Sequence, residues 1–171
     1  MEKSKVIFLD RDGTINKDFG YVYEIEKLEF LDGVIEGLKL LNDSGYKLII
    51  ITNQSGIGRN YYSLNDYETF TNYMLSEISK NGIEISKVYY CPHIAEDDCE
   101  CRKPKLGLFY QAIIDYNIDL SKSYAIGDRV RDLSICDKTD IKGILISNEE
   151  KSGYICKSNL LDVANYILNS K

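Results

Sequence analysis

Lys5-Val-Ile-Phe-Leu9, followed at once by Asp10-Arg-Asp12-Gly-Thr14, is the stretch on which the fold class turns. An apolar run without alternation is the pattern of a strand buried on both faces, as in a parallel sheet covered by helices on each side. Lys47-Leu-Ile-Ile-Ile51 repeats it, and Val88–Tyr90, Ser123–Ile126 and Gly143–Ile146 are shorter runs of the same kind. Helical spacing lies between them. Val34, Leu38 and Leu41 share one face, with Gly45 as a stop signal. Phe70, Tyr73, Met74 and Ile78 share another, with Ser63 placed as N-cap and Asp66 three residues on. Leu106–Tyr116, Val130–Asp137 and Leu160–Leu168 are further helices. Strands alternating with helices predict an α/β fold, a doubly wound and mostly parallel sheet flanked by helices.

Ligands of such sheets bind beyond the carboxyl ends of the strands. The residues directly after the strands are Asp10, Thr52, Cys91 and Gly127-Asp128, which are also the chemically suggestive ones. The chain has 171 residues, 44 % apolar and 28 % charged, and no internal repeat, linker or low-complexity tract. One domain over residues 1–171 is expected. The gaps between the first loop and the second strand, and between Thr52 and Lys103, are filled by predicted elements. Neither has room for a separate cap domain, which needs at least ~50 residues. No apolar run is long enough to span a membrane, and the opening residues do not form a signal peptide, so a cytoplasmic protein acting as a monomer is expected. The net charge of −6 argues against a general nucleic-acid binder, which needs a basic face, but not against a small anionic substrate.

Four short motifs carry the chemistry. Asp10 and Asp12 stand at i and i+2, so in extended backbone they face one small volume. Two such carboxylates repel unless a cation or a proton lies between them. Either solution suits phosphoryl transfer: a hard cation such as Mg²⁺ neutralises phosphate charge, one carboxylate attacks phosphorus and the other serves the leaving oxygen. Taken alone, an Asp-Gly pair is as well explained by a surface turn. Thr52-Asn-Gln-Ser-Gly-Ile-Gly58 supplies a hydroxyl, amides and glycines suited to phosphate oxygens. Arg102-Lys103-Pro-Lys105 supplies cations for a transition state whose charge spreads over equatorial oxygens. Gly127-Asp128-Arg-Val-Arg-Asp132 supplies a further carboxylate at a strand end, with Asp132 placed to hold metal-bound water or to orient Lys103.

In this order along nearly the whole chain, these motifs resemble the haloacid dehalogenase-like superfamily of aspartate-nucleophile phosphatases. The resemblance implies Asp10 as nucleophile and Asp12 as general acid and base. It implies Thr52 and Lys103 as phosphoryl-stabilising groups, and a Mg²⁺ site from Asp10, Asp12 and Asp128 supported by Asp132.

Cys91-Pro-His93 and Cys99-Glu-Cys101 place three thiols and the only histidine within eleven residues. That is a complete tetrahedral Zn²⁺ set with no open position, which predicts a structural zinc loop over residues 91–104 that delivers Arg102 and Lys103. Cys136 and Cys156 read as ordinary semi-buried thiols. The zinc loop narrows the resemblance to two groups. These are the D-glycero-D-manno-heptose 1,7-bisphosphate 7-phosphatases of nucleotide-heptose biosynthesis and the histidinol-phosphate phosphatases. Asp10–Asn16 followed by Asp18-Phe-Gly-Tyr-Val22, together with Thr52–Arg59, is similar to the heptose group; Cys-Glu-Cys-Arg-Lys-Pro-Lys is similar to the histidinol group. By the former resemblance a small phosphorylated sugar is the partner. Arg11, Asp18, Phe19, Gly20, Tyr21, Asn53, Gln54 and Ser55 would then line its site, with Arg102 on the second phosphate and Arg129 beside it. A polynucleotide 3′-phosphatase, which shares a Thr-Asn-Gln-x-Gly motif, is set back by the acidic charge. A non-catalytic zinc module is set back by the four intact motifs.

Overall fold

The computed structural model describes residues 2–170. Its strands are Val6–Leu9 (β1), Lys47–Asn53 (β2), Ile85–Cys91 (β3), Tyr124–Gly127 (β4), Lys142–Ile146 (β5) and Ile155–Lys157 (β6). They form one sheet in the order β3-β2-β1-β4-β5-β6, and every neighbouring pair is parallel. The helices are Val34–Asp43 (α1), Ser55–Gly58 (α2), Leu64–Ser79 (α3), Gly107–Tyr116 (α4) and Leu160–Asn169 (α5). No helix among the described residues is long and apolar enough to cross a membrane.

Alternation along the central strands splits the core in two. Ile7, Leu9, Leu48 and Ile50 pack with Leu38 and Leu41 of α1, Phe70, Met74 and Ile78 of α3, and Val163 and Ile167 of α5. Val6, Phe8, Ile49 and Ile51 face the other way, onto Phe109 and Ala112 of α4 and onto Leu133 and Ile135. The uninterrupted apolar run in β1 is thus explained: each residue has a helical layer to face. Helices α1 and α5 lie backbone against backbone. A Cβ on Gly37 would stand 2.6 Å from the Leu160 carbonyl carbon and oxygen, closer than any side chain tolerates.

Local signals act where expected. Ser63 Oγ accepts the Asp66 N–H at 3.0 Å and Asp66 Oδ2 accepts the Ser63 N–H at 2.8 Å, a reciprocal cap that starts α3. Gly45 takes a left-handed φ of +83° just past α1. Three expectations are corrected. The buried stripe of α3 runs through Tyr67, Phe70, Thr71, Met74 and Ile78, whereas Tyr73 is exposed. Strand β6 is an addition, three residues long at the sheet edge with Ile155 open to solvent. Val130–Asp137 winds as 3₁₀ helix rather than α-helix. The tighter winding folds Asp132 back over Gly127, where a Cβ would meet the Asp132 carboxylate at 2.3 Å.

The strand order reverses between β1 and β4, which is where a doubly wound sheet opens a crevice at its carboxyl end. Asp10 leaves β1 there and Asp128 leaves β4.

Candidate active site

Asp10 is fixed from below by its own N–H, which donates to the Ile126 carbonyl of β4 at 3.1 Å. Its Oδ1 accepts from Lys103 Nζ at 2.9 Å. The same ammonium donates to Asp132 Oδ1 at 2.7 Å and to the Ile51 carbonyl at 2.6 Å. Lys103 and Asp132 are 2 % and 3 % exposed, so this is a buried ion pair with every ammonium donor used. Burial would lower the Lys103 pKa, but Asp10 and Asp132 outweigh it and hold the group protonated. Burial pushes the Asp10 carboxyl up to about 7 against the pull of Lys103, and the charges of Asp132 and Asp12 push in the same direction as burial. No protein donor reaches Asp10 Oδ2 among the described residues.

Three carboxylates, of Asp10, Asp128 and Asp132, bring oxygens within 4.8 Å of one another. Lys103 supplies one positive charge against these three, and Arg129, 3.9 Å from Asp128 Oδ2, is shared with Asp18, so the carboxylates stay in excess. Asp128 Oδ1 is buried without any hydrogen-bond partner, and burial followed by the Asp132 charge raises the Asp128 pKa. Gly13, at φ +81°, leaves the space beside this carboxylate open: a Cβ there would stand 2.4 Å from Asp128 Oδ2. An orphaned acidic oxygen in an over-negative cluster fits a hard divalent cation. Asp12, expected among the ligands, is not a member of this cluster. Its Oδ1 accepts from Arg11 Nε at 3.0 Å and Asn16 Nδ2 at 3.0 Å, and its Oδ2 accepts from Gln54 Nε2 at 3.1 Å.

Thr52, at the end of β2, is 1 % exposed. Gln54 Nε2 donates to its hydroxyl oxygen at 2.9 Å, and the hydroxyl donates to the Asn53 carbonyl at 3.5 Å, a long contact that a phosphate oxygen can replace. The Gln54 amide is itself oriented by the Tyr62 hydroxyl, which donates to Oε1 at 2.6 Å. Asn53 reaches across fifty residues of sequence. Its Oδ1 accepts the Lys103 N–H at 2.9 Å and its Nδ2 donates to the Lys103 carbonyl at 3.1 Å. This two-point clasp holds the backbone from which the Lys103 ammonium extends.

The cleft above these groups has a volume of about 290 Å³ and is lined by Asp10, Asp12, Asp18, Gly20, Tyr21, Asn53, Gln54, Ser55, Arg59, Tyr62, Arg102, Arg129 and Arg131. Gly20 and Tyr21 both take positive φ, +80° and +51°, and the Tyr21 ring meets Tyr61 edge-on with centroids 4.8 Å apart. Two expected lining residues are not there. Arg11 is 1 % exposed, bonded to Asp12 and to the Val22 carbonyl and stacked over Phe70, so it braces Asp12 from behind. Phe19 is 57 % exposed and outside the cleft lining. Nothing in the sequence pattern singles out Tyr62 or Arg131, and Arg59 stands there only as the end of the Thr52–Arg59 motif.

At the carboxyl end of β3 the four soft donors meet. Cys91 Sγ lies 3.6 Å from His93 Nδ1 and from Cys99 Sγ; Cys101 Sγ lies 2.9 Å from Cys91 Sγ, 3.4 Å from Cys99 Sγ and 3.2 Å from His93 Nδ1. None of the three thiols is in a disulfide. Four donors on a sphere of about 2.3 Å radius stand roughly 3.8 Å apart, so a small outward expansion separates this arrangement from a tetrahedral metal shell. Cys136 and Cys156 are free and half-buried, away from both clusters.

Comparison with known proteins agrees with this geometry. A family profile described as polynucleotide kinase 3 phosphatase matches residues 5–143. The chain is 40 % identical to a D-glycero-beta-D-manno-heptose-1,7-bisphosphate 7-phosphatase of Haemophilus ducreyi, over 95 % of this chain and 98 % of that protein. It is 45 % identical to a D-glycero-alpha-D-manno-heptose-1,7-bisphosphate 7-phosphatase of Campylobacter jejuni, over 87 % and 86 %. Its fold superposes with TM-score 0.88 at 25 % identity on a D,D-heptose 1,7-bisphosphate phosphatase from B. bronchiseptica, solved with magnesium and phosphate, covering 98 % of this chain and 99 % of that one. The chain therefore belongs to the haloacid dehalogenase-like phosphatases, in the family that contains the heptose-bisphosphate 7-phosphatases.

Proposed function

We propose that this protein is a Mg²⁺-dependent phosphatase that removes the 7-phosphate of D-glycero-D-manno-heptose 1,7-bisphosphate through a phospho-aspartate on Asp10. The observation that carries this reading is the Asp10 carboxylate itself. One oxygen is tied to a buried lysine and the other is free of protein donors, at the floor of a cleft lined by arginines.

Asp10 Oδ2 attacks phosphorus, and the bond between phosphorus and the sugar oxygen breaks. Asp12, held by Arg11, Asn16 and Gln54, gives its proton to that leaving oxygen. Water then attacks the phosphorylated Asp10, Asp12 takes the proton back, and inorganic phosphate departs. The Lys103 ammonium and the Thr52 hydroxyl steady the equatorial oxygens, where charge spreads as the bond breaks. Asp10 and Asp128 would hold the Mg²⁺, which when bound neutralises phosphate charge. Zn²⁺ would be held by Cys91, His93, Cys99 and Cys101 in a structural role. The last of these ligands stands two residues before Lys103.

The substrate follows from the heptose-bisphosphate phosphatases that this chain resembles over nearly their whole length. Phosphate release measured side by side on the α and β heptose bisphosphates and on histidinol phosphate tests it: a heptose bisphosphate is expected to win, and preference for histidinol phosphate overturns the substrate. The name of the matching family profile favours a second reading, a polynucleotide 3′-phosphatase. The net charge of −6 opposes it. Faster release from a 3′-phosphorylated oligonucleotide than from either bisphosphate would establish it instead.

A further inference from the structure

Four arginines line the cleft beside three carboxylates, so the lining carries a net positive charge in a chain whose net charge is −6. The four are not equivalent. Arg129 lies 3.8 Å from Asp18 Oδ2 and 3.9 Å from Asp128 Oδ2, between two acids that share it. Arg102 donates to the His93 carbonyl at 3.4 Å. Arg131 meets no acceptor among the described residues, and its Nε is shut off from water. The buried Nε fixes the stem, and the terminal nitrogens, which meet no acceptor on the wall of the cleft, are free for an anion that arrives with the ligand.

Its mounting supports this. Arg131 stands in the 3₁₀ segment between Asp128 and Asp132, and Asp132 Oδ2 pins the start of that segment by accepting the Arg129 N–H at 3.0 Å. The guanidinium is therefore carried by the same turn that carries the acids. The reacting phosphoryl group already has Lys103 and Thr52, which leaves the Arg131 fork for a second anion. Arg59, which follows α2, is exposed on the same cleft and has no acceptor among the described residues. We infer that Arg131, joined by Arg59 and standing in the same cleft as the Arg102 that the family resemblance places on the second phosphate, grips the phosphate that is not cleaved, and that Arg131 sets the preference for doubly phosphorylated over singly phosphorylated sugars. A planar fork suits a dianionic phosphate better than a point charge does. This rests on the bisphosphate substrate proposed above.

The test is kcat/KM of the wild type, Arg131→Gln and Arg131→Lys on heptose 1,7-bisphosphate and on heptose 7-phosphate. The wild type prefers the bisphosphate. Arg131→Gln is expected to cut that preference about 10- to 100-fold, chiefly through KM, and Arg131→Lys to keep more of it. An undiminished preference in Arg131→Gln, or an equal loss on both substrates, overturns the role of Arg131 and leaves the substrate reading standing. A wild type with no preference for the bisphosphate overturns the substrate reading, and the inference with it.

Discussion

Lys103→Met removes the one ammonium that joins Asp10, Asp132 and the Ile51 carbonyl, while keeping a side chain of similar length. Two buried carboxylates then face each other uncompensated. Breaking a buried ion pair by deleting one partner costs about 3–5 kcal/mol. For a chain of this size that is a fall of roughly 6–20 °C in unfolding temperature. Thermal and urea unfolding followed by circular dichroism, in Mg²⁺-free buffer so that no cation substitutes for the ammonium, measures it. Phosphate release with Mg²⁺ restored should drop at least 10²–10³-fold, the usual cost of one transition-state donor. The double variant Lys103→Met/Asp132→Asn separates charge from packing. Asparagine keeps an acceptor for the Arg129 N–H and removes one stranded charge, so the double variant should regain at least ~1 kcal/mol over Lys103→Met while staying inactive. A loss under ~1 kcal/mol for Lys103→Met, or strict additivity of the two changes, would refute the electrostatic account of this site.

Removal of zinc, verified by metal analysis, should lower phosphate release by displacing Arg102 and Lys103, and Cys99→Ser should do the same; full activity in a verified zinc-free protein contradicts the loop's role. Asp128→Asn should abolish the rise in unfolding temperature that Mg²⁺ gives the wild type, because it weakens the one orphaned buried acid of the cluster. Gly37→Ala should destabilise by about 1–3 kcal/mol, read by urea unfolding, since its Cβ would meet the Leu160 main chain at 2.6 Å. An unchanged urea midpoint would mean that α1 and α5 are not locked at Gly37.

The fold was legible because each strand of the sheet centre is a short apolar run with no alternation, and only burial on two faces produces that. β6 escaped for the opposite reason: three residues at an edge, one of them exposed, carry no periodic signal. The floor of the cleft was legible too, since Asp10, Thr52, Lys103 and Asp128 each stand at or near a strand end or beside a metal-type cluster. What those residues lean on was not. Asn53 clasps Lys103 from fifty positions away, and only the parallel pairing of β2 with β3 brings them together. The i, i+2 rule correctly turned Asp10 and Asp12 to one cleft. It could not foresee that the chain bends at Arg11, which sends the guanidinium inward to brace Asp12 instead of outward to substrate. Arg131 read as one more charge in an acidic motif; its lack of any partner is a property of the folded neighbourhood alone.

The measurement that bears most directly on the central claim is chemical trapping of the phosphorylated enzyme. The protein is quenched during turnover of heptose 1,7-bisphosphate, reduced with borohydride and sequenced by mass spectrometry. A phospho-aspartate is reduced to homoserine, and the account predicts homoserine at position 10 and nowhere else, absent in Asp10→Asn, which should also release no phosphate. Homoserine at position 12, or undiminished turnover by Asp10→Asn, would contradict it.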